Sequence, residues 1–114
     1  MQDELPIVSK VYDIILWSVP RLAKLPRNHR FLLGDRIAVG FQELMALLVR
    51  ARYAREKKHM LKEASARLDI LRLEIRLMKD LRLFSLSRYE YLAREMNEVG
   101  RMLGGWLKSA GGRA

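Results

Sequence analysis

The chain of 114 residues has no cysteine, two histidines and three prolines. Without cysteine there is no disulfide to staple the fold and no thiolate to hold a metal, which suits a reducing cytoplasm. Long apolar runs are missing as well. The longest uncharged run, Ile14 to Pro20, falls far short of the ~20 residues that a membrane helix needs. The opening MQDELP is acidic and lacks the basic stretch followed by an apolar run that marks a signal peptide, so the expected location is cytoplasmic, with no membrane partner. Glycine-rich phosphate loops are absent, because Gly104-Gly105 follows a helical pattern instead of opening one. Nucleophilic triads need a cysteine or an activated serine beside a base, and the only histidines, His29 and His59, fall in or beside expected turns. One spacing, Glu56-Lys57-Lys58-His59, matches the Glu-x-x-His of di-iron bundles. Such sites need a second copy and two more inward glutamates, and the two lysines here repel a dication. The expectation is therefore no enzyme, no cofactor and no metal.

What the chain does have is positive charge: 22 Lys and Arg against 13 Asp and Glu, a formal +9. In a small domain this balance points to a polyanionic partner, RNA or DNA first and an anionic membrane second. The plainer alternative is a structural or interaction protein that uses arginine as a helix former and solubiliser. Half of the residues are hydrophobic, enough for a real core, and the length favours one domain over 1–114.

Three breaks punctuate the sequence: Pro26-Arg27-Asn28-His29-Arg30 continuing to Gly34, the charged stretch Arg55 to His59, and Ser85-Leu86-Ser87. Helical periodicity fills the intervals, about 7–24, 32–56, 60–83 and 88–108, and strict period-two alternation is missing. Four helices joined by short loops predict an all-α, up-down-up-down four-helix bundle, with a flexible tail at 109–114. Ser87 with Glu90 reads as a capping box that opens the fourth helix. Pro20 is expected to kink the first helix or end it early, leaving Arg21 to Leu25 as a looser turn.

The third segment is apolar on two sides. At about 100° per residue, Leu61, Ala64, Leu68, Leu71, Ile75 and Met78 form one stripe. Ala66, Ile70, Leu73, Leu77 and Leu81 form another, well over ~90° away. Lys62, Ser65, Asp69, Arg72, Arg76 and Lys79 fill one gap; Glu63, Arg67 and Glu74 fill the other. The second segment repeats the pattern, with Ile37, Phe41, Leu44, Leu48 and Ala51 opposite Val39, Ala46, Val49 and Tyr53. One bundle buries one stripe per helix, and a long exposed leucine row is an aggregation liability on a monomer. The reading is a homo-oligomer whose contacts use Val39, Ala46, Val49, Tyr53, Ile70, Leu73, Leu77 and Leu81. The alternative is a lone bundle with a thick core. The fourth segment has a single stripe: Tyr89, Leu92, Met96, Val99, Leu103 and Trp106. Its Gly100 and Gly104 have GxxxG spacing, but charged flanks argue for close helix packing or fraying instead of a membrane dimer.

Two basic groups are candidate phosphate sites. Arg50, Arg52, Arg55, Lys57, Lys58 and Lys62 surround the second break with Glu56 as the sole acid, and the row Arg72, Arg76, Lys79 runs away from that corner. The other group is Arg21, Lys24, Arg27, Arg30 and Arg36. Both suit strong, salt-dependent contacts of weak sequence specificity. Tyr53 adjoins the first group and Phe31 the second, too few aromatics to read a stacking platform from the sequence.

"LPRNHRF" at 25–31, "LGDRI" at 33–37, "RLEIRLMKDLRLFS" at 72–85 and "RYEYLAREMNEVGRMLGGWLK" at 88–108 resemble the accessory variability determinant proteins of diversity-generating retroelements. The similarity runs from about Tyr12 to Lys108. The resemblance implies a four-helix bundle assembling as a barrel-shaped pentamer, without a catalytic centre. It also implies binding to the retroelement's reverse transcriptase and template RNA during mutagenic complementary-DNA synthesis. A more distant four-helix family, encoded in ribosomal RNA intervening sequences, is similar in fold but less so in the loop at 25–31.

Overall fold

The computed structural model describes residues 5–111, which form four long helices and no strand. Helix α1 spans Pro6–Leu22, α2 Asp35–Tyr53, α3 Lys58–Asp80 and α4 Leu86–Ser109. Contacts run α1 to α2, α2 to α3, α3 to α4 and α4 back to α1, so sequence neighbours pack side by side and the ring closes. Short connections between such neighbours force antiparallel pairs, giving the four-helix bundle.

Local chemistry sets the helix ends, and several differ from the sequence reading. Pro6 occupies the first turn of α1, where its missing N–H costs nothing. Pro20 lies inside the helix without ending it early, and only Ala23 to Leu25 form the following turn. Helical backbone then resumes at Arg27 rather than residue 32. A turn at Arg27–His29 and a π-helical turn at Arg30–Gly34 lead straight into α2. Pro26 opens this run and its carbonyl accepts the Arg30 N–H at 2.8 Å, so the apparent break is a helix start. The π-turn pushes Phe31 and Leu32 into solvent. At the other end α2 stops at Tyr53, three residues short of expectation, and α3 begins at Lys58, two residues sooner.

The fourth helix starts at Leu86, with Ser85 as its cap. Ser85 Oγ accepts the Arg88 N–H at 3.2 Å, so the Ser87–Glu90 box is corrected to a cap two residues earlier. Helix α3 ends in a Schellman motif: Leu83 N–H donates to Met78 O at 2.8 Å and Arg82 N–H to Lys79 O at 2.9 Å. That geometry places Arg82 at φ 63°, the left-handed region usually given to glycine. Of the tail expected to be flexible, Ser109 closes α4, Ala110 and Gly111 form a turn, and 112–114 lie outside the described residues.

The core is built from the stripes that periodicity marks. Leu61, Ala64, Leu68, Leu71, Ile75 and Met78 of α3 are all buried. They meet Ile37, Phe41, Leu44, Leu48 and Ala51 of α2, and Leu92, Met96, Val99 and Leu103 of α4. Burying each large aliphatic side chain contributes about 1.5–3 kcal/mol, so these stripes dominate the stability. Gly40 permits a close approach of α2 to the Leu71 side chain of α3, since a Cβ there would stand 2.8 Å from Leu71 Cδ2. Gly100 leaves room on α4 for the Arg72 guanidinium, whereas Gly104 faces open space, so the GxxxG pair is not a packing seam within the chain.

Arg82→Gly is predicted to stabilise the fold by about 0.5–1 kcal/mol, because it removes a Cβ from the left-handed position. Urea unfolding checks this: the midpoint rises at constant slope.

Candidate nucleic-acid interface

The α2–α3 connection, the start of α1 and the end of α4 meet at one end of the bundle. Leu5, Pro6 and Ile7 share a pocket there with Arg52, Lys57, Met102 and Trp106. Arg50, Arg55 and Lys62 are exposed at this end, and Arg52 and Lys58 are half-buried. Among the described residues none of these five cations has an acidic partner within ion-pair distance. Lys57 has a different task. Its Nζ donates to the carbonyls of Ala51, Arg52 and Ala54 at 3.0, 2.9 and 2.9 Å. It thereby caps α2 with all three of its protons and pins the 54–57 loop.

The row Arg72, Arg76, Lys79 follows α3 toward the opposite end. Lys58 and Lys79 are separated by roughly 30 Å along the axis at ~1.5 Å per residue, so corner and row do not form one compact site. The row is also internally compensated. Arg72 donates to Asp69 at 2.9 Å and to Asn97 of α4 at 3.5 Å. Arg76 lies 3.9 Å from Asp80, and Lys79 lies 3.3 Å from the same carboxylate and 4.9 Å above the Tyr89 ring.

The second basic group gathers at the far end of the bundle. Arg21 donates to Trp17 O at 2.8 Å, with its guanidinium 4.3 Å over the Trp17 ring. Trp17 in turn packs against Phe84 and Tyr91, with centroids 6.1 and 4.7 Å away. Arg30 donates to Ala23 O at 3.3 Å, Arg36 lies 3.8 Å from Glu74, and Lys24 and Arg27 are exposed. The spacing of residues along the chain gives no sign of this aromatic cluster, because its members come from three parts of the sequence. The same holds for the cross-helix pairs Lys10–Glu95 at 3.0 Å and Arg67–Glu43 at 2.6 Å. The hydrogen bond that Lys10 donates to the Glu95 carboxylate holds the ammonium pKa above its ordinary range despite desolvation. Arg101, bonded to Glu98, lowers the Glu98 carboxyl.

The second apolar stripe of α3 stays uncovered within the chain: Ile70, Leu73, Leu77 and Leu81 are 53, 63, 44 and 49 % exposed. Val39 and Val49 of α2 are exposed as well, Ala46 is half-buried, and Tyr53 projects from the last position of that helix. Asp35, Arg36, Val39, Gly40, Arg67, Ile70, Leu71 and Glu74 line a groove between α2 and α3. Burial in this groove raises the Glu74 carboxyl above its ordinary value, opposed by the charges of Arg36 and Arg67. Glu56 lies exposed in the 54–57 loop and His59 on the first turn of α3; no cluster of metal-binding side chains exists among the described residues. No described helix is long and apolar enough to cross a membrane.

The raised Glu74 carboxyl has a definite sign. The folded state holds that proton more tightly than the unfolded chain, so Glu74 lowers stability as pH rises through and above the ordinary glutamate range. Glu74→Gln is predicted to raise the unfolding midpoint at neutral pH and to change it little in acid; thermal melts at the two pH values check this.

No curated protein matches the chain. A family model described as bAvd-like matches residues 5–110, which takes in all four helices and both basic ends. The chain therefore belongs to the bAvd-like family, the accessory variability determinant family of diversity-generating retroelements.

Proposed function

We propose that the chain is a non-enzymatic accessory subunit that binds template RNA and complementary DNA, docks the retroelement's reverse transcriptase and supports mutagenic reverse transcription in the cytoplasm. One observation carries the nucleic-acid part: Arg50, Arg52, Arg55, Lys58 and Lys62 converge on one end of the bundle with no acidic partner among the described residues. Unpaired cations on a rigid end release counterions from a polyanion without first breaking an ion pair. The row Arg72, Arg76, Lys79 adds a weaker track, because Asp69 and Asp80 already offset its charge.

The same proposal includes self-association over the outer α2–α3 face, through Val39, Ala46, Ile70, Leu73, Leu77 and Leu81, with Val49 at its margin. Five copies is the number that the family resemblance implies. A ring repeats the cationic corner around one assembly, and each added contact then acts at high effective concentration. The opposite end, with Arg21, Lys24, Arg27, Arg30 and Arg36 around the exposed Phe31 and Leu32, is the proposed docking face for an acidic, apolar surface of the polymerase.

Replacing Arg50, Arg55 and Lys58 together by alanine tests the corner. Titrations of single-stranded RNA over a range of salt should show weaker binding and a log–log salt slope shallower by about 2, at ~0.7 per lost phosphate contact. The Arg72, Arg76, Lys79 triple variant should change the slope less. Unchanged affinity and slope in the corner variant contradict the assignment.

A further inference from the structure

Tyr53 stands apart from the other exposed apolar side chains. It is the last residue of α2, and it is 77 % exposed. The helical wheel groups it with the self-association face, but it stands at the extreme end of that face, one turn beyond Val49. Val39 lies 14 positions before it, roughly 20 Å away along the helix at ~1.5 Å per residue. Ile70, the first large residue of the exposed α3 row, lies about 18 Å beyond Lys58 on the same basis. Tyr53 is therefore at the tip, where the cations are.

Its surroundings suit a flat ligand. The Arg52 guanidinium lies 5.5 Å from the ring centroid. Arg50 and Arg55 flank it in the chain, and Lys58 follows across the pinned loop. Arg52 and Tyr53 have no acidic partner among the described residues, and apart from Arg52 no other ring or cation packs on Tyr53 there. Lys57 removes most of the freedom this corner would otherwise have, since its three hydrogen bonds lock the carbonyls on either side of Tyr53. The backbone that carries the ring is thus held in place, which lowers the entropy lost when a ligand settles there.

We propose that Tyr53 is a stacking platform for an unpaired base, so that the cationic corner prefers single-stranded polynucleotide, RNA or DNA, over duplex. This rests on the nucleic-acid reading of the corner. Phosphates satisfy Arg50, Arg52, Arg55, Lys58 and Lys62, and the base lies on the phenol ring. Every base has a π-face, so such a contact tolerates any sequence, but in a duplex those faces are already stacked. An aromatic platform in a positive groove is how sequence-tolerant single-strand binders gain affinity beyond charge.

The test compares wild type, Tyr53→Ala and Tyr53→Phe on four probes: a short single-stranded RNA, the DNA of the same sequence, and the duplex of each. Tyr53→Ala should weaken single-strand binding about tenfold or more, leave duplex binding unchanged and keep the salt slope, since no charge is lost. Tyr53→Phe should bind like wild type. A loss on one kind of single strand alone supports stacking and names the strand. Equal losses on single strand and duplex overturn the proposal, as does no loss at all, or a fall in assembly mass that accounts for the weakening. If Tyr53→Ala is neutral while the Arg50, Arg55, Lys58 variant loses binding, stacking fails and the basic corner survives. If wild type retains no nucleic acid at moderate salt, the corner reading itself fails.

Discussion

Helix α3 is apolar on two sides, and one chain can cover only one of them. Its buried stripe, from Leu61 to Met78, locks into α2 and α4 and makes the bundle. Its outer stripe, Ile70, Leu73, Leu77 and Leu81, is left about half exposed. The hydrophobic effect gives such a row a standing drive to find a second surface. Two charged pairs, Arg36–Glu74 and Arg67–Glu43, bridge α2 and α3 beside the groove that Val39 and Ile70 line. They give that face a fixed charge pattern at its edges. Each pair joins one exposed and one half-buried partner, a setting in which ion pairs add little stability, so their value to an interface would lie in register.

The distribution of charge follows a second division, between the bundle's faces and its ends. Along the faces, cations meet acids on neighbouring turns or helices: Lys10 with Glu95, Arg67 with Glu43, Arg72 with Asp69, Arg101 with Glu98. At the α2–α3 end, among the described residues, they do not. Thus the formal +9 is not spread evenly over the surface. Among the described residues, a polyanion meets a flank where many cations are paired and a tip where the ion pairs are lacking. In the proposed assembly the flank is used for copies of the chain and the tip for nucleic acid, so the two activities do not compete for one surface.

Much of the fold was legible in the sequence, because burial of a helix stripe is a periodic, local signal. The α3 stripe was readable residue by residue, and so was that of α4 from Leu92 to Leu103. Helix ends were less legible, since they depend on competing hydrogen bonds. Ser85 and Ser87 are chemically identical, and it is Ser85, three residues after the left-handed Arg82, that meets the α4 N-terminus. Pro26-Arg27-Asn28-His29 looked like a break but is the first turn of a helix that passes through a π-turn. The basic groups were legible as composition, whereas their pairing was not. Lys57 reads as one more cation, yet its ammonium is committed to three carbonyls, and no spacing rule foretells that.

Mass in solution tests the central claim most directly. The uncovered α2–α3 face predicts that light scattering on the purified protein gives a multiple of the 13.3 kDa chain, five-fold for a pentamer, and that Leu73→Lys with Leu77→Lys returns it toward one chain. A well-behaved species of 13.3 kDa at high concentration would contradict the account, because the outer leucine row would then be stable in water with nothing to cover it.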